Sequence, residues 1–163
     1  KRSGIKVGVI EGDIAGKIDA EKMAERGIPV VQLNTDGACH IEAMSIKNIL
    51  PQFDLDDLDL IIIENIGNLV CPAEFDIGES LKVALLSIPE GDDKVEKYPL
   101  MFTRADALVL TKYDLINYFE FNEERVERNA LIRNDELKLF KVNSKNEDDI
   151  KEFKNWLISK IEE

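Results

Sequence analysis

Thr111-Lys112-Tyr113-Asp114 follows a short apolar run and places a carboxylate two residues after a lysine. A carboxylate in that position can accept from both N1–H and the N2 amine of guanine, while the lysine stem lies along the purine face. Adenine lacks this donor pair and would leave the aspartate unpaired, so the arrangement selects guanine. Asn143-Ser144-Lys145 follows the next apolar run, where a loop can close over the same base edge. A lysine and an aspartate at this spacing also occur in ordinary solvated turns. The presence of both loops is what favours guanine.

Two further groups of residues carry chemistry. Glu64 ends the most apolar stretch of the chain, and Gly67 follows three residues later. A carboxylate at the end of a buried strand can orient a hydrated Mg²⁺, and a glycine lets a backbone N–H approach a γ-phosphate. Asp13 and Asp19 can bring a second carboxylate to that ion or position an attacking water. The plainer alternative is that these acids cap helices, a role that suits Asp19 before Ala20. Cys39, His40 and Cys71 are the only two cysteines and the only histidine. Thiolate and imidazole suit Zn²⁺ or Ni²⁺ and suit Mg²⁺ poorly. One chain supplies three such donors where a closed structural zinc site needs four. That leaves an open position or a site shared between two copies, against the alternatives of two buried thiols with a solvated histidine or an adventitious disulfide.

Phosphoryl transfer on an α/β scaffold of this kind uses a G-x-x-x-x-G-K-[ST] loop. The sequence contains no such match. The nearest stretch, Gly12-Asp13-Ile14-Ala15-Gly16-Lys17-Ile18, has one residue too few between its glycines and an isoleucine in place of the hydroxyl.

The elements that must position these residues read as alternating strands and helices. Strands are expected at Lys6–Ile10, Pro29–Leu33, Leu58–Ile63, Val83–Leu86, Ala107–Leu110 and Leu137–Val142, several as continuous apolar runs of the kind covered on both faces. Helices are expected at Asp19–Arg26, ended by Gly27, at His40–Leu50, ended by Pro51, at Asn122–Arg133, and at Glu147–Ile161 behind an Asn146 cap. The last of these carries Ile150, Phe153, Leu157 and Ile161 on one stripe. This order predicts an α/β fold with a doubly wound, mostly parallel sheet and helices on both faces, in one domain over residues 1–163. Ligands bind such sheets at the carboxyl ends of the strands, in the loops where nearly all the residues above are found. A net charge of −12 opposes non-specific binding to nucleic acid or anionic membranes. Apolar runs reach only about four residues, far short of a membrane span. Two cysteines are too few for a disulfide scaffold and point to a reducing compartment.

Taken together, the chain resembles the hydrogenase nickel-incorporation GTPases, a branch of the P-loop NTPases. The resemblance rests on Glu11-Gly12-Asp13, Asp19-Ala20, Asn34-Thr35 with Cys39-His40, the run from Glu64 to Ala73, Glu90-Gly91-Asp92-Asp93-Lys94, Lys97-Tyr98-Pro99 and Thr111-Lys112-Tyr113-Asp114-Leu115. It implies a cytoplasmic GTPase that helps insert nickel into hydrogenase, binding GTP or GDP with Mg²⁺. It further implies a GTP-dependent homodimer that gathers Cys39, His40 and Cys71 of two chains around Ni²⁺ or Zn²⁺, and work with a hydrogenase maturation partner and the hydrogenase large subunit. Within it, Thr111, Lys112 and Asp114 with Asn143, Ser144 and Lys145 would hold guanine. Asp13 and Glu64 would serve the Mg²⁺ side, with Asp19 beside them, and Gly67 would sense the γ-phosphate.

Departures from the family pattern are Asp36 for glycine, Thr111 for asparagine, Pro89 within its turn and Val95 for proline. None removes a proposed ligand. The family's first strand, phosphate loop and helix are also missing before Lys6, and the chain opens on Lys1. This predicts an N-terminally truncated piece unable to hydrolyse GTP as it stands. The competing expectations are a non-catalytic nickel- or zinc-binding metallochaperone module and a purely scaffolding α/β domain.

Overall fold

The computed structural model describes residues 4–12, 17–35 and 37–161, with side chains in the first helix from Glu21 onward. Asp13 and Asp36 lie outside the described residues, as does the side chain of Asp19. The chain is α/β with parallel strands throughout, and its contacts group into two units, Lys1–Gly78 and Glu79–Glu163.

In the first unit the elements are β1 (Val7–Glu11), α1 (Lys17–Glu25), β2 (Val30–Gln32), α2 (Ala43–Ile49), β3 (Leu60–Glu64) and α3 (Cys71–Glu74). The strand order is β2-β1-β3, with Val9 opposite Val30 and Glu11 opposite Glu64. Gly27 takes φ +66°. Its N–H donates to Ala24 O at 2.8 Å and that of Ile28 donates to Met23 O at 3.0 Å, which ends α1 where the sequence predicts. The core joins Ile10, Ile41, Ile46, Ile49, Phe53 and Ile77, with Val31, Leu33, Leu58, Ile61 and Ile63 against it.

One expectation is corrected here. The helix predicted from His40 starts only at Ala43. The Ile41 N–H donates to Asn65 Oδ1 at 3.2 Å, and its side chain is fully buried, so residues 40–42 are held in the loop. Pro51 does not stop the chain at once either: Leu50–Gln52 continues as a 3-10 turn.

Gly12 fixes the rim of this sheet. Its N–H donates to Glu64 O at 2.8 Å. A Cβ on it would overlap the side chain of Ile41 and sit 3.0 Å from that same carbonyl. Because Ile41 is packed into the core, it has no free space to withdraw into. Gly12→Ala is therefore expected to lower stability by about 1–3 kcal/mol. In urea denaturation the midpoint should fall while the slope is kept, and an unchanged midpoint would contradict this packing.

In the second unit the elements are β4 (Val83–Ser87), α4 (Lys94–Lys97), α5 (Pro99–Arg104), β5 (Ala107–Thr111), α6 (Glu123–Arg133), β6 (Lys138–Val142) and α7 (Glu147–Ile161). The order is β4-β5-β6, with Ser87 opposite Thr111 and Thr111 opposite Val142. Ala107, Val109, Phe140 and Val142 form one sheet face, against which α7 lays Ile150, Phe153 and Trp156. Phe140 meets Phe153 edge-on at 5.3 Å and Trp156 at 5.4 Å, pairs worth about 0.5–1.5 kcal/mol each beyond burial. The alternate residues Leu108 and Leu110 are also buried, so β5 is covered on both sides, as its continuous apolar run predicts. Asn146 caps α7, accepting from the Asp148 N–H at 3.1 Å.

The stretch from Ser87 to Tyr98, expected to be loop, contains structure. Ser87 and Glu90 form a reciprocal cap around the 3-10 turn Ile88–Glu90, and α4 follows within the same stretch. Among the described residues no helix is long and apolar enough to cross a membrane.

Candidate functional site

In the first unit, β1 separates β2 from β3, yet the loops leaving β2 and β3 converge. Parallel strands discharge their loops at one rim, which brings Cys39 to Cys71 across a sequence gap of 32 residues. The two Sγ atoms lie 2.7 Å apart, and Cys39 Sγ lies 3.6 Å from His40 Nδ1. Ligand atoms of all three residues fall within 4.8 Å of one another. No other group of three His, Cys, Asp or Glu ligands is this close among the described residues.

Local hydrogen bonds build this geometry. Asn68 Nδ2 donates to Cys39 O at 2.7 Å, and Asn68 Oδ1 accepts from the N–H groups of Val70 (3.0 Å) and Cys71 (2.9 Å). One side chain thus ties both cysteine segments together. The His40 ring stacks on Phe75 at 3.8 Å, 8° from parallel, which fixes the plane of the imidazole. Both cysteines are free thiols, Cys39 exposed and Cys71 half-buried. The hydrogen bond with Cys39, followed by burial, pushes the Cys71 thiol above its ordinary pKa. Two soft sulfurs and one imidazole at this spacing fit zinc or nickel and leave a coordination position open.

The carboxylates at the same rim are Glu64 and Glu11, which the sequence motif Glu11-Gly12-Asp13 contains without giving it a role. Glu11 ends β1, pairs in register with Glu64 and is the only buried charged residue among those described. Its signal was a carboxylate closing the run Val7-Gly8-Val9-Ile10. Gly67 is exposed, without positive φ, and a Cβ there would meet nothing within 4 Å. The fold itself does not require glycine at that position.

In the second unit, the register of Thr111 with Val142 sets the two loops predicted to hold guanine side by side. Lys112 adopts φ 53°, ψ 38°, the only positive φ outside glycine among the described residues. Lys112 and Asp114 are exposed, and Tyr113–Tyr118 continues as a 3-10 helix. Asn143 organises the facing loop: its Oδ1 accepts from Lys145 N–H at 3.0 Å and its carbonyl from Asn146 N–H at 2.9 Å. Its own N–H donates to Asp149 Oδ2 at 3.2 Å. Ser144 and Lys145 remain exposed between these anchors.

The Glu90–Lys94 segment is held from behind. Asp92 Oδ2 accepts from Asn122 N–H at 2.9 Å, and Arg125 reaches Glu96 at 2.9 and 2.6 Å. The Arg125 hydrogen bond holds the Glu96 carboxyl below its ordinary range.

A family described as CobW/HypB/UreG, nucleotide-binding domain, matches residues 1–140. A Helicobacter pylori hydrogenase/urease maturation factor HypB is 39% identical over 159 residues, 95% of this chain and 66% of that protein. An Escherichia coli hydrogenase maturation factor HypB is 40% identical over 156 residues, 96% of this chain and 54% of that protein. The chain thus spans roughly half to two thirds of the relatives it matches. The crystal structure of HypB from H. pylori in complex with nickel superposes with TM-score 0.90 at 38% identity, over 97% of this chain and 75% of that one. HypB from Archaeoglobus fulgidus gives 0.89 at 34%, over 96% and 76%. With the family's nucleotide-binding domain matched over most of its length, the chain belongs to the CobW/HypB/UreG family.

Proposed function

We propose that this protein handles nickel for hydrogenase maturation under the control of a guanine nucleotide, and that its full-length form hydrolyses GTP. The observation that carries the reading is the convergence of Cys39, His40 and Cys71 within 4.8 Å. Support comes from the relatives, one named as a maturation factor and one as a nickel complex.

Nickel is cargo in this reading. Two thiolates and one imidazole give it three donors, and the exposure of Cys39 leaves the site open to a further donor. A second copy of the chain, meeting the first through these loops in a GTP-dependent homodimer, supplies that donor. The same ligands accept zinc. Because ligation needs both sulfurs reduced, the reading places the protein in the cytoplasm. Its partners are a maturation partner and the hydrogenase large subunit, with no role for nucleic acid or membrane at a net charge of −12.

On the nucleotide side, Asp114 accepts from the guanine edge, Lys112 covers the ring, Thr111 ends the strand that carries them, and Asn143–Lys145 close the facing side. Glu64 with Asp13 and Asp19 supplies hard oxygen ligands toward Mg²⁺, and Glu11, which lies in register with Glu64, joins that set in this reading. The Mg²⁺ ion, when bound, neutralises phosphate charge. Gly67 offers its N–H to the γ-phosphate with no side chain in the way.

Equilibrium dialysis against Ni²⁺ between pH 6 and 9, with and without a non-hydrolysable GTP analogue, tests the reading. Nickel must displace the thiol protons, and the Cys71 proton is held more tightly than usual. Nickel affinity is therefore expected to rise with pH and to be lost towards acid. It is also expected to change when the analogue is present. Nickel binding indifferent to nucleotide would leave a non-catalytic metallochaperone module instead, and no binding at all would remove the nickel reading.

A further inference from the structure

Three side chains outside the proposed base contacts join three elements of the second unit. Tyr113 lies between Lys112 and Asp114, and its hydroxyl donates to Glu123 Oε2 at the first residue of α6. Lys141 Nζ pairs with Glu123 Oε1 and lies 5.6 Å from the centroid of the Tyr113 ring. Lys141 is the penultimate residue of β6, two positions before Asn143. One triad therefore grips the strand entering the second loop and the middle residue of the first.

The backbone shows why such a grip is needed. Lys112 is held in the left-handed region, a conformation that side-chain-bearing residues keep only where their surroundings impose it. Its carbonyl accepts from Leu115 N–H at 3.0 Å, which closes the turn. The Tyr113 hydroxyl, donating to Glu123, ties the same turn to the start of α6. Burial alone would raise the Glu123 carboxyl, but the hydrogen bonds from Lys141 and Tyr113 outweigh it and hold it below its ordinary value. The Glu123 hydrogen bonds in turn push both Tyr113 and Lys141 upward. The triad is thus a neutral phenol, a carboxylate and an ammonium, each in the charge state that the others favour.

We propose that Tyr113, Glu123 and Lys141 are positioning residues that set guanine selectivity by fixing the Asp114 carboxylate relative to the Asn143–Lys145 loop. The proposal rests on the reading of Asp114 as the base-contacting residue. A carboxylate held in place rewards the N2 amine of guanine, whereas a carboxylate free to drift accepts hypoxanthine, which lacks that amine, almost as well. The quantity governed by the triad is therefore the ratio of GDP to IDP affinity.

Calorimetric titration of the full-length protein with GDP, IDP and XDP provides the test. Tyr113→Phe and Lys141→Ala are each expected to lower the GDP:IDP ratio about three- to tenfold, and Lys141→Arg to restore most of it. A role in stability alone would weaken GDP and IDP together and leave the ratio unmoved. Asp114→Asn is measured alongside. If it moves preference to XDP while Tyr113→Phe and Lys141→Ala leave the ratio as in wild type, the triad proposal is overturned and the base reading stands. If Asp114→Asn produces no such move, the base reading itself fails.

Discussion

Cys71→Ala is expected to remove high-affinity nickel binding, and the loss should exceed that from any substitution in the first unit that keeps all three donors. Cys71 contributes one of only three soft donors gathered within 4.8 Å. What remains, Cys39 and His40, are neighbours in sequence whose atoms lie 3.6 Å apart, a pair with too few donors to hold a late transition metal against water. Altering a residue that merely supports a ligand costs roughly 10–100-fold in metal affinity, and deleting a ligand costs more. The expected loss is therefore at least about a hundredfold, with stoichiometry falling towards zero at micromolar nickel. The fold should tolerate the change. The Cys71 N–H that donates to Asn68 Oδ1 at 2.9 Å belongs to the backbone and survives, Pro72 still sits in the first turn of α3, and the side chain is only half-buried. Equal nickel stoichiometry in wild type and variant, measured by equilibrium dialysis, would exclude Cys71 as a ligand. Asn68→Ala makes a graded comparison. It keeps all three donors but frees the Cys39 carbonyl and the start of α3, so its loss belongs in the lower range.

The donors of this site were legible as residue types, and their gathering around a metal was expected, but the route by which one chain brings them together was not. The only histidine and both cysteines stood out by rarity, and the loops after β2 and β3 were identifiable because strands were expected at Pro29–Leu33 and Leu58–Ile63. Only pairing register could show that a cysteine after one outer strand reaches a cysteine after the other, across β1. Asn68 entered only as part of the run from Glu64 to Ala73 and Phe75 not at all, because an asparagine and a phenylalanine suit any loop and neither type shows that it orients a neighbouring cysteine or histidine. Glu11 was hidden differently. As the last residue of a strand it looked like the first residue of a loop, and Asp13, two positions on, drew the attention instead.

The helices divide along the same line. α7 was readable from end to end because its stripe has helical period and Asn146 caps it. α4 has four residues and α5 six, too short for periodicity to accumulate, although Ser87-x-x-Glu90 and Pro99 marked their neighbourhood. The start of α2 was misplaced because burial of Ile41 and its hydrogen bond to Asn65, both tertiary, override a local pattern that would allow helix from His40. The triad of Tyr113, Glu123 and Lys141 joins residues from three elements, and nothing local in the sequence links them.

Asp114→Asn is expected to convert the full-length protein from a guanine to a xanthine nucleotide specificity. An aspartate can only accept, and guanine presents two donors, N1–H and the N2 amine, on one edge. Asparagine replaces one acceptor by a donor, which faces the N2 amine with a like group, whereas xanthine presents a carbonyl at that position. A site built on such a pair rejects the mismatched base strongly, so GTP kcat/KM should fall on the order of 10³-fold while XTP gains by a comparable factor. The change should appear mainly in KM, because the proposed reading gives Asp114 a contact with the base and none with the phosphates. Structure gives the substitution a clean reading: Asp114 is exposed at the start of a 3-10 helix, so the isosteric amide disturbs no buried partner and the melting temperature should stay within about a degree or two. The register of Thr111 with Val142 sets the Asn143–Lys145 loop alongside, and the substitution leaves that second side of the proposed base contact unchanged. Were XTP unable to support turnover in the variant while GTP turnover persisted, base recognition would have to lie elsewhere. The left-handed Lys112 and the paired loops would then have no ligand to explain them.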